Sequence, residues 1–181
     1  AMGELAWEVN RLVMYLQGKS LDVTAIDNSP LAIRICKQRG VKKAKVLPLE
    51  KVGTFKLGSF DTIIMLGCNF GLFGSFRKAK RLLKIIHSIT TPNAIIIAES
   101  NDIYETNDPV HRSYHAFNRK RGRMPGQVRI RIRFKNYIGG WFDYLLVSPG
   151  EMQTILRGTG WKVKKFIRSP KGMYVAIIHK V

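Results

Sequence analysis

The chain is 181 residues long, a length typical of a single domain with one hydrophobic core. Hydrophobic residues make up 45% and charged residues 24% of it, as in ordinary folded soluble proteins, and no apolar run approaches the roughly 20 residues of a membrane span. Lysine and arginine number 31 against 12 acidic residues, a formal net charge of +19. Because a thermophile's ion-pair network needs both signs, this excess instead favours a polyanionic partner such as nucleic acid.

The N-terminus and the cysteines exclude two further classes. Polar residues interrupt any apolar core of a signal peptide, so a cytoplasmic protein is expected: Glu4, Glu8, Asn10 and Arg11. Cys36 and Cys68 are too few for a disulfide framework or a metal-ligand set, so we expect reduced thiols and no metal.

Helices and short apolar strands alternate through the first half. In chain order we predict a helix over 4–17, a strand over 21–26, a helix from Pro30 to Gly40, a strand over 44–47, a strand over 61–66, a helix over 75–87 and a strand over 94–98. The run 61–66 (DTIIML) is continuously apolar, which is typical of a strand covered on both faces in a parallel sheet. The alternation predicts an α/β fold with a doubly wound, mostly parallel sheet.

The second half of the chain does not continue this alternation of strands and helices. We predict a helix over 108–121, a half-buried strand over 128–134, an antiparallel partner over 141–147, a helix over 149–157 and two final strands over 161–167 and 173–178. Residues 102–147 are interpreted as an inserted helix and β-hairpin that cover the substrate, within one domain over 1–181.

Ligands of open α/β sheets bind at the carboxyl ends of the strands, where Asp27 stands. Its carboxylate can accept hydrogen bonds from both hydroxyls of a ribose. The alternative is that Asp27 only caps the helix beginning near Asn28, and the spacing does not decide between the two.

Three pieces of the sequence resemble the class I S-adenosylmethionine-dependent methyltransferases: residues 21–31 (LDVTAIDNSPL), residues 59–66 (SFDTIIML) and Asn69. Their order and separation match the family from about residue 11 to the C-terminus. The resemblance implies a Rossmann-like sheet with an antiparallel last strand, S-adenosylmethionine as cofactor, and methyl transfer to an acceptor.

The resemblance also implies roles for individual residues. Asp27, with Asn28 beside it, corresponds to the residue that holds the cofactor's ribose. Leu47, Leu49 and Glu50 correspond to adenine contacts. Asn69 lies where the family places the methyl-transfer centre, so it is both a cofactor-binding and a catalytic candidate.

The family's glycine-rich loop is the feature that this sequence lacks. The usual spacing of roughly 17 residues before Asp27 leads to Asn10, and residues 4–10 (ELAWEVN) contain no glycine. Taking Gly3 as the last glycine of the loop leaves Ala1 in the middle position. A truncated start, a segment swapped from another copy and a loss of cofactor binding all remain open. A sheet without its central strand has open edges, so a homodimer is expected.

Positive charge is concentrated in the inserted segment. Nine lysine and arginine residues and no acidic residue lie between Asp108 and Asp143. Arg129, Arg131 and Arg133 alternate with apolar residues and are candidates for binding the phosphates of RNA or another anionic substrate, with Trp141 available for base stacking. The alternative is a strand face that is merely solvated.

Glu99 and His115 are the remaining catalytic candidates. Glu99 directly follows the strand over 94–98, so its carboxylate is expected to face the cleft. His111 and His115 are four residues apart, and His115 is a candidate general base. Methyl transfer chiefly requires alignment of nucleophile and methyl group, so a dedicated base is not essential.

The sequence is therefore interpreted as a methyltransferase with an unidentified acceptor. The first alternative is a non-catalytic, methyltransferase-like module that binds RNA and has lost cofactor binding. A nicotinamide dehydrogenase is the weaker alternative, since it needs the same absent glycine fingerprint.

Overall fold

A computed structural model of the chain describes residues 11–56 and 60–181. These residues fall into two compact units, the first up to Thr54 and the second from Phe55 onward. The predicted start of the first helix, residues 4–10, and both candidate positions of the glycine-rich loop lie outside the described residues. No helix in the described part of the chain is both long enough and apolar enough to cross a membrane.

The first unit is a pair of parallel strands with two helices. Its elements are α1 (residues 11–18), β1 (Thr24–Asp27), α2 (Pro30–Gln38), β2 (Lys43–Val46) and a 3-10 helix (Leu49–Thr54). β1 and β2 run parallel, with Thr24 opposite Lys43 and Asp27 opposite Val46. Val13, Ile33 and Ala44, one from each of α1, α2 and β2, are buried together in a small core.

The start of α2 follows from its sequence. Ser29 is the N-cap, and its hydroxyl oxygen accepts a hydrogen bond from the Ala32 amide at 3.2 Å. Pro30 occupies the first turn, where its missing amide hydrogen costs nothing. The cap of α2 is therefore Ser29. The strand before it begins later than predicted and includes Asp27.

The second unit contains the larger sheet. Its elements are β3 (Phe60–Met65), a 3-10 helix (Asn69–Phe73), α3 (Phe76–Ile89), β4 (Thr90–Asn101), α4 (Pro109–Lys120), β5 (Gln127–Ile130), β6 (Arg133–Phe134), β7 (Tyr137–Ile138), β8 (Phe142–Leu145), α5 (Pro149–Leu156), β9 (Trp161–Arg168), a 3-10 helix (Pro170–Gly172) and β10 (Met173–Lys180). The four-stranded sheet has the order β3-β4-β10-β9. β3 is parallel to β4, whereas β10 is antiparallel to both β4 and β9. This confirms an α/β fold with parallel strands and an antiparallel last strand.

The core of the second unit lies on one face of this sheet. Along β4, Ile96 and Ala98 are buried while the alternating Ile95 and Ile97 are only half-buried. Buried residues of α3 and α5 belong to the same core: Leu82, Leu83, Ile86, Met152 and Ile155. Trp161 of β9 joins it, and its indole nitrogen donates to the Leu83 carbonyl at 3.0 Å.

Two strand predictions are corrected. β3 is not covered on both faces, because Ile64 within the strand is 39% exposed. β4 is longer than the predicted strand and includes Glu99, which lies opposite Val175 of β10. Pairing with β10 continues the strand past the apolar run. Glu99 therefore lies within a strand rather than after one.

The inserted segment contains the predicted helix and hairpin, with one change. β5 pairs with β8 in antiparallel register, Gln127 opposite Leu145, as expected for the two runs. The predicted strand over 128–134 instead stops at Ile130, and Arg133 and Phe134 form β6, which pairs with β7. The chain reverses there because Lys135 adopts a left-handed conformation with φ of 50°. Among the described residues, β1 pairs only with β2 and β3 only with β4.

Candidate active site

Asp27 lies at the carboxyl end of β1 in the first unit and is exposed. Its Oδ1 accepts a hydrogen bond from the Ser29 amide at 2.7 Å, and its carbonyl accepts one from the Leu47 amide at 2.9 Å. The first bond orients the carboxylate beside Ser29, which is itself the N-cap of α2, so Asp27 supports the helix start without being its cap. The bond still leaves the carboxylate at the surface, where its second oxygen can accept from a ligand hydroxyl.

The other cofactor candidates of the first unit belong to the same edge. Asn28 is exposed and follows Asp27 directly. Leu49 is half-buried and Glu50 exposed, both at the start of the 3-10 helix that follows β2. Because β1 and β2 are parallel, their carboxyl ends lie side by side. This edge therefore combines a carboxylate, an amide and an apolar side chain, the groups that a nucleoside requires.

In the second unit, Glu99 forms hydrogen bonds that hold the turn that follows β3. One carboxylate oxygen accepts from the Gly67 amide at 3.0 Å, and the other accepts from the Cys68 thiol at 3.7 Å. Cys68 adopts left-handed backbone angles, with φ of 59°, which is uncommon for a residue other than glycine. Its carbonyl accepts from the Tyr144 hydroxyl at 2.5 Å. These contacts hold the turn that begins the helix containing Asn69.

The thiol and the phenol of this cluster stay protonated. Burial, followed by the negative charge of Glu99 and its hydrogen bond, raises the pKa of Cys68 from 9.0 to about 11. Burial is also the largest cause that raises the pKa of Tyr144 above its ordinary value. At neutral pH both groups therefore donate hydrogen bonds, and Cys68 is not a thiolate nucleophile.

The Tyr144 ring packs against the backbone of Gly71. A Cβ atom added there would lie 2.3 Å from the ring, closer than two such atoms approach each other in proteins. Only glycine at this position lets the ring reach the turn and donate to Cys68.

A groove of about 260 Å³ lies beside Glu99. Ile167, Met173 and Val175 supply an apolar lining, and Glu99 supplies a carboxylate. β10 begins beside the end of β4, so the groove lies at the carboxyl end of β4, the edge where α/β sheets bind ligands. The arrangement suits the apolar part of a small molecule.

His115 belongs to a different cluster of the second unit. Its ring meets that of Tyr104 at 6.2 Å, and the Tyr104 hydroxyl donates to Glu151 at 2.8 Å. Burial, assisted by the positive charge of Arg119, lowers the pKa of His115, so the ring is neutral at pH 7. The interactions described for His115 include neither Glu99 nor Asn69. Its catalytic role stays a prediction.

The basic candidates lie on the surface of the inserted segment. Arg129, Arg131 and Arg133 are exposed while the apolar residues between them are half-buried, which is the alternation expected from the sequence. The Arg131 guanidinium lies 4.7 Å from the centre of the Trp141 ring. No interaction described for these residues links them to Glu99.

Sequence reasoning missed Cys68, Gly71 and Tyr144. Cys68 was noted only as a reduced thiol, although its place directly after a strand was a usable signal. Tyr144 is 76 positions from the carbonyl that it binds, and the residues next to it in the sequence do not predict that contact. The need for glycine at position 71 arises from the same distant ring.

Comparison with known proteins gives a consistent result among solved structures. No protein-family model and no curated protein matches the chain. An S-adenosylmethionine-dependent methyltransferase from Bacteroides fragilis, crystallised with S-adenosyl-L-homocysteine, superimposes with a TM-score of 0.76 and 26% identity over 93% of this chain and 67% of that one. One from Methanosarcina mazei gives a TM-score of 0.69 and 17% identity over 93% and 86% of the two chains.

A third match names its substrate. It is the 1,6-didemethyltoxoflavin-N1-methyltransferase from Burkholderia thailandensis, with bound 1,6-didemethyltoxoflavin and S-adenosylhomocysteine. Its TM-score is 0.58 at 15% identity, over 93% of this chain and 65% of that one. The chain thus has the class I S-adenosylmethionine-dependent methyltransferase fold, as the sequence predicted. These matches give no support to the alternative of a non-catalytic RNA-binding module.

Proposed function

We propose that the chain binds S-adenosylmethionine and transfers its methyl group to an acceptor. The observation that carries this proposal is the match to the Bacteroides fragilis methyltransferase, which extends over 93% of the chain at 26% identity. That protein was crystallised with S-adenosyl-L-homocysteine, the product that methyl transfer leaves behind.

The described residues of the first unit fit the adenosine half of the cofactor. Asp27 is exposed at the carboxyl end of β1, and its bond from Ser29 holds it in one orientation. We assign it to the ribose hydroxyls, with Asn28 beside it and Leu49 and Glu50 on the adenine. The methionine half would meet the glycine-rich loop, whose candidate positions lie outside the described residues. The bound cofactor supplies an electrophilic methyl group on a sulfonium.

In the second unit, we expect the turn over residues 67–69 to affect the rate of methyl transfer. Glu99 and Tyr144 hold it by backbone and thiol contacts, which positions Asn69 at the end of β3. A preorganised turn favours the in-line geometry that methyl transfer requires. Since both oxygens of Glu99 are already hydrogen-bonded, we assign it to positioning rather than to proton abstraction. The acceptor's apolar part is assigned to the groove lined by Ile167, Met173 and Val175.

Calorimetric titration with S-adenosylhomocysteine tests the assignment of Asp27 through three variants. Asp27→Ala should weaken binding at least tenfold, the loss expected when a charged hydrogen-bond partner worth about 1.5 to 3 kcal/mol is removed. Asp27→Asn keeps an oxygen for the Ser29 amide but lacks the negative charge, so it separates the contact with Ser29 from ligand binding. Asp22→Ala is the matched control, since Asp22 is an exposed acid of the same unit that pairs with Lys43 at 2.6 Å.

The variants distinguish the two roles of Asp27 directly. If it holds the ribose, Asp27→Asn and Asp27→Ala should both weaken binding, whereas Asp22→Ala should match the wild type. Full affinity in Asp27→Ala would leave Asp27 only its contact with Ser29 at the start of α2 and remove it from the site.

A further inference from the structure

The inserted segment carries three arginines stacked on aromatic rings. Arg119 lies over Tyr104 at 5.8 Å, Arg121 over Phe117 at 5.0 Å and Arg131 over Trp141 at 4.7 Å. The three rings are 48%, 50% and 56% exposed, respectively. Exposed aromatic rings are costly to leave in water, and three of them beside arginines form a surface with both stacking and charged groups.

We name this the insert surface and define it by the three stacked pairs and the three arginines of the alternating run: Tyr104, Phe117, Arg119, Arg121, Arg129, Arg131, Arg133 and Trp141.

The positive charge of the insert surface exceeds the acidic charge near it, although Glu151 accepts a hydrogen bond from the Tyr104 hydroxyl at 2.8 Å. No acidic residue lies between Asp108 and Asp143 in the sequence. Asp143 is already engaged by the Arg123 guanidinium at 2.8 Å and by the Gln127 amide at 3.3 Å. The negative charge of Asp143 is therefore balanced by Arg123 within the segment. Arg129, Arg131 and Arg133 face solvent.

Buried hydrogen bonds fix the two halves of the insert surface against each other. The side-chain amide of Asn118, a buried residue of α4, donates to the carbonyls of Pro125 and Gln127 at 2.9 and 2.8 Å. The ion pair between Arg123 and Asp143 joins the end of α4 to β8. These contacts hold α4 against β5 and β8, so Phe117 and Arg129 are presented in one preformed arrangement, which reduces the entropy lost on binding.

The spacing of the arginines suits an extended polyanion. Arg129, Arg131 and Arg133 are exposed at every second position. β5 ends at Ile130 and Arg133 belongs to β6, so the three arginines lie along two consecutive strand segments. All three are exposed, and the Arg131 guanidinium lies beside the ring of Trp141, which places a row of three positive charges next to a stacking group.

We propose that the insert surface binds single-stranded nucleic acid, with phosphates on the arginine row and bases stacked on the exposed rings. The exposed rings favour nucleic acid over an acidic polypeptide as the partner. An acidic polypeptide would pair with the arginines and leave the aromatic faces unused. A duplex hides the faces of its bases, whereas a single strand offers them for stacking. This interaction is independent of methyl transfer and does not require the bound strand to be the methyl acceptor.

Fluorescence anisotropy with labelled, unstructured RNA and DNA 12-mers tests the proposal across a salt series. Each phosphate contact adds roughly 0.7 to the slope of log affinity against log salt, so the triple variant Arg129→Gln, Arg131→Gln, Arg133→Gln should lower the slope by about 2. The matched control replaces Lys162, Lys164 and Lys165, three exposed lysines of β9, with glutamine. It removes the same charge from another strand and should change the slope far less.

Trp141→Ala tests stacking without changing charge. It should weaken binding roughly 5- to 100-fold, the range that loss of one stacked base implies, and leave the salt slope near the wild-type value. Circular dichroism confirms that each variant is folded, and Arg131→Gln alone replaces the triple variant if that does not fold. Tighter binding of the RNA or of the DNA 12-mer identifies which strand is the partner.

Three results would overturn the proposal. One is an equal loss of affinity in the arginine and lysine variants, which would mean that net charge alone binds the strand. Another is unchanged binding by Trp141→Ala together with equally tight binding of a poly-glutamate peptide, which would identify a surface for acidic proteins. The third is failure of the wild-type chain to bind either 12-mer at low salt.

Discussion

Replacing Glu99 with glutamine distinguishes a carboxylate that holds a turn from one that removes a proton. Glutamine has nearly the same shape, and its oxygen can still accept from the Gly67 amide. It lacks the negative charge that, after burial, is the second cause of the raised pKa of Cys68. Because a nearby anion disfavours the thiolate, its removal should lower this pKa from about 11 toward the ordinary value of 9.0.

The size of the effect follows from the thiolate fraction. With a pKa of about 11, only about one Cys68 thiol in a thousand is ionised at pH 8. Because burial is the largest cause of the shift, loss of the charge removes less than half of it, so the fraction and the rate of alkylation should rise by less than about tenfold. Iodoacetamide labelling followed by peptide mass spectrometry measures this rate, with Cys36 of the first unit as the internal reference.

Two outcomes would refute this reasoning. An unchanged labelling rate at Cys68 in Glu99→Gln would mean that the carboxylate does not act on the thiol. A fall in the methyl-transfer rate of about 10² to 10⁴, the usual contribution of a general base, would assign proton abstraction to Glu99. A positioning role predicts that glutamine retains the rate within about tenfold and that alanine, which loses both contacts, does not.

Three further predictions concern the fold. Gly71→Ala forces a Cβ against the Tyr144 ring and should lower the free energy of unfolding in urea by about 1 to 3 kcal/mol. The control Gly150→Ala, where nothing lies within 4 Å of the added Cβ, should be nearly neutral. Equal stabilities of the two variants would show that the ring moves aside at no cost. Asn118→Ala leaves two carbonyls without their donor and should cost about 1 to 3 kcal/mol in the same assay, and no loss would mean that water replaces the amide. Within residues 11–56 and 60–181, β1 pairs only with β2 and β3 only with β4, and we expect a second copy to pair with their other edges. The dimer population should then rise with concentration in light scattering, and a monomer at all concentrations would contradict this.

The strands and their directions were largely predictable because they depend on local patterns. The apolar runs before Leu66 and Glu99 predicted two parallel strands, and the runs over 161–167 and 173–178 predicted the final two strands. The break in the basic strand was not predictable, since the alternation continues through residues 130–133 while the hydrogen bonding changes. The chain then reverses at Lys135, whose left-handed conformation is not expected from its residue type.

The site was predictable only where it coincides with strand ends. Asp27 could be selected because it follows an apolar run at the edge where α/β sheets bind ligands, and Asn69 because the resemblance to the methyltransferases places the methyl-transfer centre there. Tyr144 could not, since its hydrogen bond to the Cys68 carbonyl joins residues 76 positions apart. Glu99 was selected for the wrong reason: it was expected beyond the end of a strand, but it lies inside β4 and holds a neighbouring turn.

The most direct test of the methyltransferase assignment is calorimetric titration of the wild-type chain with S-adenosylmethionine and S-adenosylhomocysteine, with NADH titrated in parallel. We predict saturable binding of both adenosyl compounds at one site per chain and no binding of NADH. Binding of NADH without either adenosyl compound, or binding of none of the three by folded protein, would contradict the proposed function.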